Sequence, residues 1–541
     1  MRLGTTILTI VFLSGGSSMA SGQMQEHAQH ASSTVDFRIS CSGPAQAEFS
    51  RAIALLHHMT YPRARESFQQ VAKIDPRCAM AHWGIAMTLF QPLWPTRPGP
   101  EELRRGWKAL QIARTLGTPT TRERLLVDAG AAFFREPEST DYWQRIRRWE
   151  QAMGGAYATL PQDSEVAAFY ALAHLAAAPS DTVSRANSER AASLLLAVYE
   201  RNPDHPGAMH YLVHANDVPG RERESLGLVR HYETTAPRNP HALHMPTHIY
   251  VRLGEWDAVI RGNQRAAEAA LGHRVGDRGQ FVWDEFPHAI EYLLYAHLQK
   301  GADDEAAAAL KRLNQSARLE PTFKTAFHLA STRARYALER HAWREAMSLA
   351  PRKPPTLDWD RFTWPEAVTW FARGLGAARE RRAEEARAAA DRLAELETIA
   401  SSAGERLFAR NIRILRLEVR GWLAHVEGDT LSSVALMREA AELEQVTPKH
   451  AVTPGPTLPG YELLGDLLLE QARPAEALLE YRRSLELYPR RFNSLLGAAQ
   501  AARASGEESV ARKFYQELLE LAAAGSRRSG LEEARMFVSR R

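Results

Sequence analysis

The chemistry available to this sequence is concentrated in its histidines. Of twenty in 541 residues, four form two matching pairs, in Met209-His210-Tyr211-Leu212-Val213-His214 and in His244-Met245-Pro246-Thr247-His248. Within each pair the spacing is i, i+4, so on a helix both rings leave one face a turn apart. Between the pairs it is 34 residues, from His210 to His244 and from His214 to His248. Imidazole is the commonest side-chain ligand for zinc, copper and iron, and an i, i+4 pair can chelate one ion. Helices packed about 8–10 Å apart let side chains of both reach a shared point. The two pairs offer up to four nitrogens. His241, His288, Asp217 and Glu291 stand nearby as further ligands, as an outer layer, or as carriers of a second ion. A single HxxxH is a common accident, and a buried histidine usually only hydrogen-bonds. Two pairs in phase point to a transition metal instead. Tyr211 and Met245 follow the first histidines, so the glutamate of the HExxH zinc proteases is missing.

For these rings to meet, two helices must lie side by side in one register. Pro206, Pro240 and Pro287 each suit the first turn of a helix, where a missing N–H costs nothing. Pro206 and Pro240 are 34 residues apart, as are Asn202-Pro203 and Ala236-Pro237. Pro240 to Pro287 is 47, one repeat plus 13 residues that fall within Leu271 to Pro287. From about Gln46 onward the chain reads as almost entirely helical, with apolar residues recurring at i, i+3, i+4, i+7 and short Pro- or Gly-marked breaks. A period of this length marks an internal repeat.

Further landmarks recur along the chain. Leu464-Gly465, Ala477, Tyr481 and Pro489 form one set, followed by Gly506, Ala511 and Tyr515. Tyr61, Ala64, Phe68 and Asp75-Pro76 form another near the start, and Leu253-Gly254-Glu255-Trp256 lies in the middle. These residues resemble the tetratricopeptide repeat family. The resemblance implies an all-α solenoid of helical hairpins wound into a right-handed superhelix. It also implies that positions 2, 5, 9, 12 and 13 of each first helix line a concave groove. Counting each proline as position 1, those places carry His210, His214, Asp217, His241, His244, His248, Arg252, His288, Glu291 and Tyr295.

Composition narrows the alternatives. With 45% hydrophobic and 24% charged residues the chain is neither collagen-like nor wholly disordered. A net charge of +4 over this length is too dilute to argue for nucleic acid. Two cysteines, Cys41 and Cys78, exclude a disulfide scaffold and a Cys-rich zinc module. Arg2, the apolar run Thr5 to Leu13 and Ser18-Met19-Ala20 read as a secretory leader over residues 1–22, which predicts a periplasmic or secreted protein. No stretch reaches the roughly 18–20 apolar residues of a membrane span. In an oxidising compartment the two cysteines can pair, a point their spacing leaves open. The expected organisation is a disordered tail at 23–45 and a first solenoid at 46–350 whose His-rich groove spans 206–300. A Pro-rich linker at 351–365 and a second solenoid at 366–541 follow.

The insertion before Pro287 brings Arg274, Asp277, Arg278, Trp283, Asp284 and Glu285, and reads equally as a lid over the groove or as a surface loop. Phe281 and Trp283 favour a packed loop. His57-His58 read more readily as a helix end, and the direction of His328 is unresolved. Glu462 and Asp466 tint the C-terminal groove acidic, and His27 and His30 with Met24 form a small tract behind the leader. No nucleophile elbow, phosphate loop or dinucleotide fingerprint is present, and no catalytic residue is assigned.

Two function classes remain. One is an exported metalloprotein, in which copper or iron would imply a metal-dependent oxidoreductase and zinc would imply hydrolysis or a structural role. Copper is favoured because an all-nitrogen, thiolate-free site in an oxidising compartment suits it, with zinc or iron as alternatives. The other is a scaffold that holds a small molecule, peptide or protein partner in the groove through imidazoles and Arg252. A scaffold groove would carry Asn, Lys and Arg. This one is rich in histidine, which favours the metal.

Overall fold

Helix follows helix from Gly43 to Ser539 in the computed structural model of the chain, which describes residues 35–94, 97–139, 141–178, 184–276 and 278–539. Successive helices pack as hairpins, Gly43–His57 on Tyr61–Ile74 and Gly460–Glu470 on Pro474–Leu487 among them. The fold is an all-α solenoid of the tetratricopeptide type. Small residues at the repeat positions explain the close packing. Tyr481 lies against Gly465 and Gly497, where an added Cβ would come within 2.9 and 2.3 Å of its ring.

The prolines mark helix starts where expected, with one refinement. Helices begin at Pro206 and Pro240, but a second begins at Pro246, so His244 and His248 sit on Pro240–His244 and Pro246–Leu253. Pro246 has no N–H to return to the preceding turn. Met245 nevertheless keeps right-handed helical torsions (φ −53°, ψ −43°), so the two pieces stay in one register. Gly254, at φ +68°, ends the second piece in the left-handed conformation that glycine adopts without cost. The third first-helix starts at Glu285, two residues before Pro287. The insertion ahead of it is a packed β-hairpin, Arg274–Val275 against Phe281–Val282, with Trp283, Asp284 and Glu285 buried.

Three expectations about organisation change. The ordered chain begins inside the segment expected to be a tail. Residues 35–42 are irregular but packed, Phe37 is buried against Phe49, and Gln46 Nε2 donates to the Phe37 carbonyl at 2.9 Å. Cys41 and Cys78 are joined by a disulfide. The leader at 1–22 and the histidines of the tail lie outside the described residues. The segment 351–365 is packed and ends in the start of a helix at Thr363. Leu357, Trp359, Phe362 and Trp364 are buried, and one continuous core runs from Val35 to Ala534.

The third change matters most for the site. The concave side is filled rather than open. The Pro-rich loop 447–459 enters it, and Arg335, fully buried, donates to the carbonyls of Gly455 and Pro456 at 2.7 Å each. Arg491 reaches across from the C-terminal repeats to Glu339, Glu462 and the Tyr295 hydroxyl at 2.8–3.0 Å. The superhelix closes on itself because its last repeats supply cations to carboxylates on the middle ones. Among the described residues, no helix is long and apolar enough to cross a membrane.

Candidate metal centre

The six predicted histidines assemble, but as two triads rather than one four-nitrogen site. His210, His214 and His241 form the first, and His244, His248 and His288 the second. In each, the ligand nitrogens lie within 4.8 Å of one another. The repeat explains the division. Each triad takes positions 5 and 9 of one unit and position 2 of the next, so the same three places supply a second copy 34 residues later, stretched only by the insertion before His288.

In the first triad the Nε2 atom of His210 faces Nε2 of His214 at 3.2 Å and Nε2 of His241 at 3.0 Å. In the second, His244 Nε2 faces His248 Nε2 at 3.0 Å. The opposite ring nitrogens decide the tautomers, because a neutral imidazole carries one proton. His210 Nδ1–H donates to the His57 carbonyl at 2.6 Å and His241 Nδ1–H to Glu285 at 3.1 Å. His248 Nδ1–H donates to Asp217 at 2.8 Å. His244 Nδ1–H donates at 2.7 Å to the Asn263 side-chain oxygen, whose amide nitrogen is itself engaged with the Val259 carbonyl. His328 Nδ1–H donates to Glu291, so its Nε2 is left to accept from His288 Nδ1–H at 2.9 Å.

Five of the six Nε2 atoms therefore carry lone pairs. Two contacts, His210–His241 and His244–His248, set lone pair against lone pair at 3.0 Å. The buried Nε2 of His288 has no hydrogen-bond partner among the described residues. An added proton is a poor remedy, since burial and the neighbouring imidazoles hold His210, His244 and His288 well below the usual imidazole range. Burial, with Lys449 nearby, brings His248 down to about 4. Neutral, pre-oriented nitrogens converging on two points are what a soft or borderline cation requires.

The outer layer is charged and paired. Asp217 takes Arg252 at 2.9 Å and Lys449 at 2.6 Å besides His248. Burial works to raise its pKa, but Lys449 and Arg252 prevail and keep it ionised. Glu285 is held ionised against the same burial by Lys324 and His241. Glu291 accepts from Arg335 at 2.9 Å and from Ser331 at 2.6 Å. Arg252 and Glu291 thus stand one contact away from the six histidines. Tyr295 does not belong here. Its hydroxyl accepts from Arg491 and its ring packs on Trp256, because at this point the C-terminal repeats have filled the groove.

Several neighbours carried no readable signal. The Trp94 ring spans both triads, its centroid 5.2 Å from that of His241 and 5.9 Å from that of His288. Tyr292 lies 4.5 Å from His244, with its hydroxyl buried and unpartnered among the described residues. His57 contributes a backbone oxygen, Asn263 an amide, and His328 a relay. Only His328 and His57 stood out by residue type. A third cluster, His57, Glu165 and His205, already has its protons in place. His205 Nδ1 accepts from the Ala208 N–H, so its Nε2–H donates to Glu165 at 3.1 Å and offers no lone pair.

Of the six histidines only His214 is partly exposed. It borders a cavity of about 560 Å3 together with Trp94, Asp217, Arg252 and Lys449.

No protein-family model matches this chain, and no curated protein does. Among solved structures, the crystal structure of the APC/C hetero-tetramer Cut9-Hcn1 aligns over 92% of this chain and 96% of its own, at 13% identity and a TM-score of 0.29. A monomeric mutant of IFIT1 with m7Gppp-AAAA aligns over 92% and 100%, at 12% identity and a TM-score of 0.35. Likeness at that level carries no argument about ligand or partner. The fold therefore rests on the helical hairpins themselves, and the site on its own geometry.

Proposed function

We propose that this protein is a dinuclear metal-dependent oxidoreductase, with one transition-metal ion on His210, His214 and His241 and a second on His244, His248 and His288. The observation that carries the reading is the facing of imidazole lone pairs at 3.0 Å in a buried site. Copper is the favoured ion because both triads are all-nitrogen and free of thiolate, with iron and zinc the alternatives. A pair of copper ions would supply two-electron chemistry toward dioxygen or an organic substrate, whereas zinc would confine the site to hydrolysis or structure. The residues orient and tune. Asp217, Glu285 and Asn263 fix ring direction and tautomer, and Trp94 and Tyr292 keep bulk water from the ligands.

The disulfide Cys41–Cys78 supports an oxidising compartment, in line with a leader at residues 1–22 and a periplasmic or secreted location. A scaffold for a peptide or protein partner is the second reading. We rank it lower because the remaining opening, about 560 Å3, has the size of a small-molecule pocket.

The test is metal analysis by mass spectrometry on untagged protein. The wild type should carry about two equivalents, His210→Ala about one, and the double variant His214→Ala, His248→Ala none, with the far-ultraviolet helical signal kept. If His210→Ala lost all metal, or if the wild type took up none on reconstitution, the two-ion reading would fail.

A further inference from the structure

We infer that the cavity beside the first triad binds a small aromatic molecule carrying an anionic group, and presents it to the ion on His210, His214 and His241. The second half rests on the dinuclear reading. The affinity of the cavity does not.

Access comes first. His210, His241, His244, His248 and His288 are fully buried, and His214 alone both lines the cavity and keeps partial exposure. His214 is also the only ligand whose Nδ1 has no partner among the described residues, so its ring is the least constrained. A molecule in the cavity therefore meets the first ion, while the second stays enclosed behind Trp94 and Tyr292. The two sites arise from one repeated pattern, yet the fold gives them unequal access.

The walls choose the shape. Trp94, Trp143, Phe327, Trp364, Phe408 and Tyr488 line the space. Trp364 is the hub of a contiguous aromatic surface, with centroids 4.6 Å from Phe327, 5.5 Å from Phe408 and 5.8 Å from His450. Rings prefer such edge and offset faces to aliphatic chains of equal size. The volume suits one small molecule rather than a polypeptide segment.

The charges choose the sign. Among the described residues, five cationic side chains and three carboxylates border the cavity. At its inner end Arg252 and Lys449 share the single carboxylate of Asp217, which also accepts from His248. Lys449 has one further contact, to the Thr453 carbonyl at 3.1 Å. Two cations against one carboxylate leave an unmatched positive charge beside the metal ligands. A carboxylate or phenolate on the guest would neutralise it, with its ring against the aromatic wall.

The experiment uses the full chain, metal-free and copper-loaded, titrated calorimetrically with benzoate, benzamide and cyclohexanecarboxylate. Benzoate should bind at least about tenfold more tightly than either comparison. Lys449→Met should weaken benzoate about 10- to 100-fold and leave benzamide unchanged, while Lys449→Arg should restore most of the affinity. Helical content should match wild type in both variants. On the copper-loaded protein benzoate should shift the visible absorption of the metal. Equal binding of benzoate and benzamide, or no effect of Lys449→Met, would overturn the inference whatever the metal content. Tight benzoate binding that leaves the absorption of two bound coppers unmoved would overturn presentation to the ion and leave the dinuclear reading standing. A chain that prefers benzoate yet binds no metal would overturn the dinuclear reading instead.

Discussion

At His241 the character of the ligand nitrogen is set on the far side of the ring. Glu285 accepts the Nδ1 proton and is itself paired with Lys324, so it stays ionised and makes the imidazole a better donor at Nε2. Glu285→Gln keeps the size and an acceptor oxygen but removes the charge. We expect one of the two metal equivalents to bind about 10- to 100-fold more weakly while the other is unaffected. Competition with a graded series of chelators would measure this. Equal weakening of both equivalents would mean that the triads do not act as separate sites.

One helical geometry serves different chemistry in different repeats. On Gly460–Glu470, positions 5 and 9 carry Glu462 and Asp466 where the earlier repeats carry histidine. Glu462 pairs with Arg491, and Asp466 accepts from the Tyr481 hydroxyl at 2.6 Å. Burial, with the Glu462 charge beside it, pushes Asp466 up to about 7. An unfolded aspartate titrates near 3.9, so between about pH 4 and 7 the native state holds a proton that the unfolded state has lost. Stability must fall as pH rises through that window. Asp466→Asn is neutral throughout and still accepts from Tyr481. It should exceed wild type by about 1–3 kcal/mol at pH 8, a partial value because Asp466 keeps some contact with solvent, and lose that advantage at pH 4. Urea unfolding at the two pH values decides it.

For the whole molecule, the decisive contact is the one that closes the superhelix. Arg491 is fully buried between Glu339, Glu462 and Tyr295, and Trp256 Nε1–H donates to the Arg490 carbonyl at 2.7 Å beside it. Arg491→Met would leave two buried carboxylates facing each other without a cation. We expect a loss of about 3–5 kcal/mol in unfolding free energy. Bound metal should also be extracted faster by chelators, because loosening this closure opens the filled concave side. Unchanged stability would mean that the halves are joined by apolar packing alone.

Much of this was readable before any coordinates. Helical periodicity and the 34-residue spacing of prolines and histidines suffice for the fold class and for which rings share a face, because both follow from local geometry. All six histidines of the two clusters could be singled out in this way. Even the division into triads was implicit, since positions 5, 9 and 2 recur in step, but spacing alone does not say which neighbour a position-2 ring turns toward. Long-range packing decided the rest. Trp94 comes from a break with no period, and the His57 carbonyl from a helix end more than 150 residues away. The open groove expected of such a solenoid is lost because the last repeats and a Pro-rich loop return to fill it. Arg491 can do this only if carboxylates far apart in sequence meet it in a water-free space. That closure depends on the sum of small inter-repeat rotations, which no local pattern of residues encodes, and it turns a row of groove histidines into a buried centre with one exposed edge.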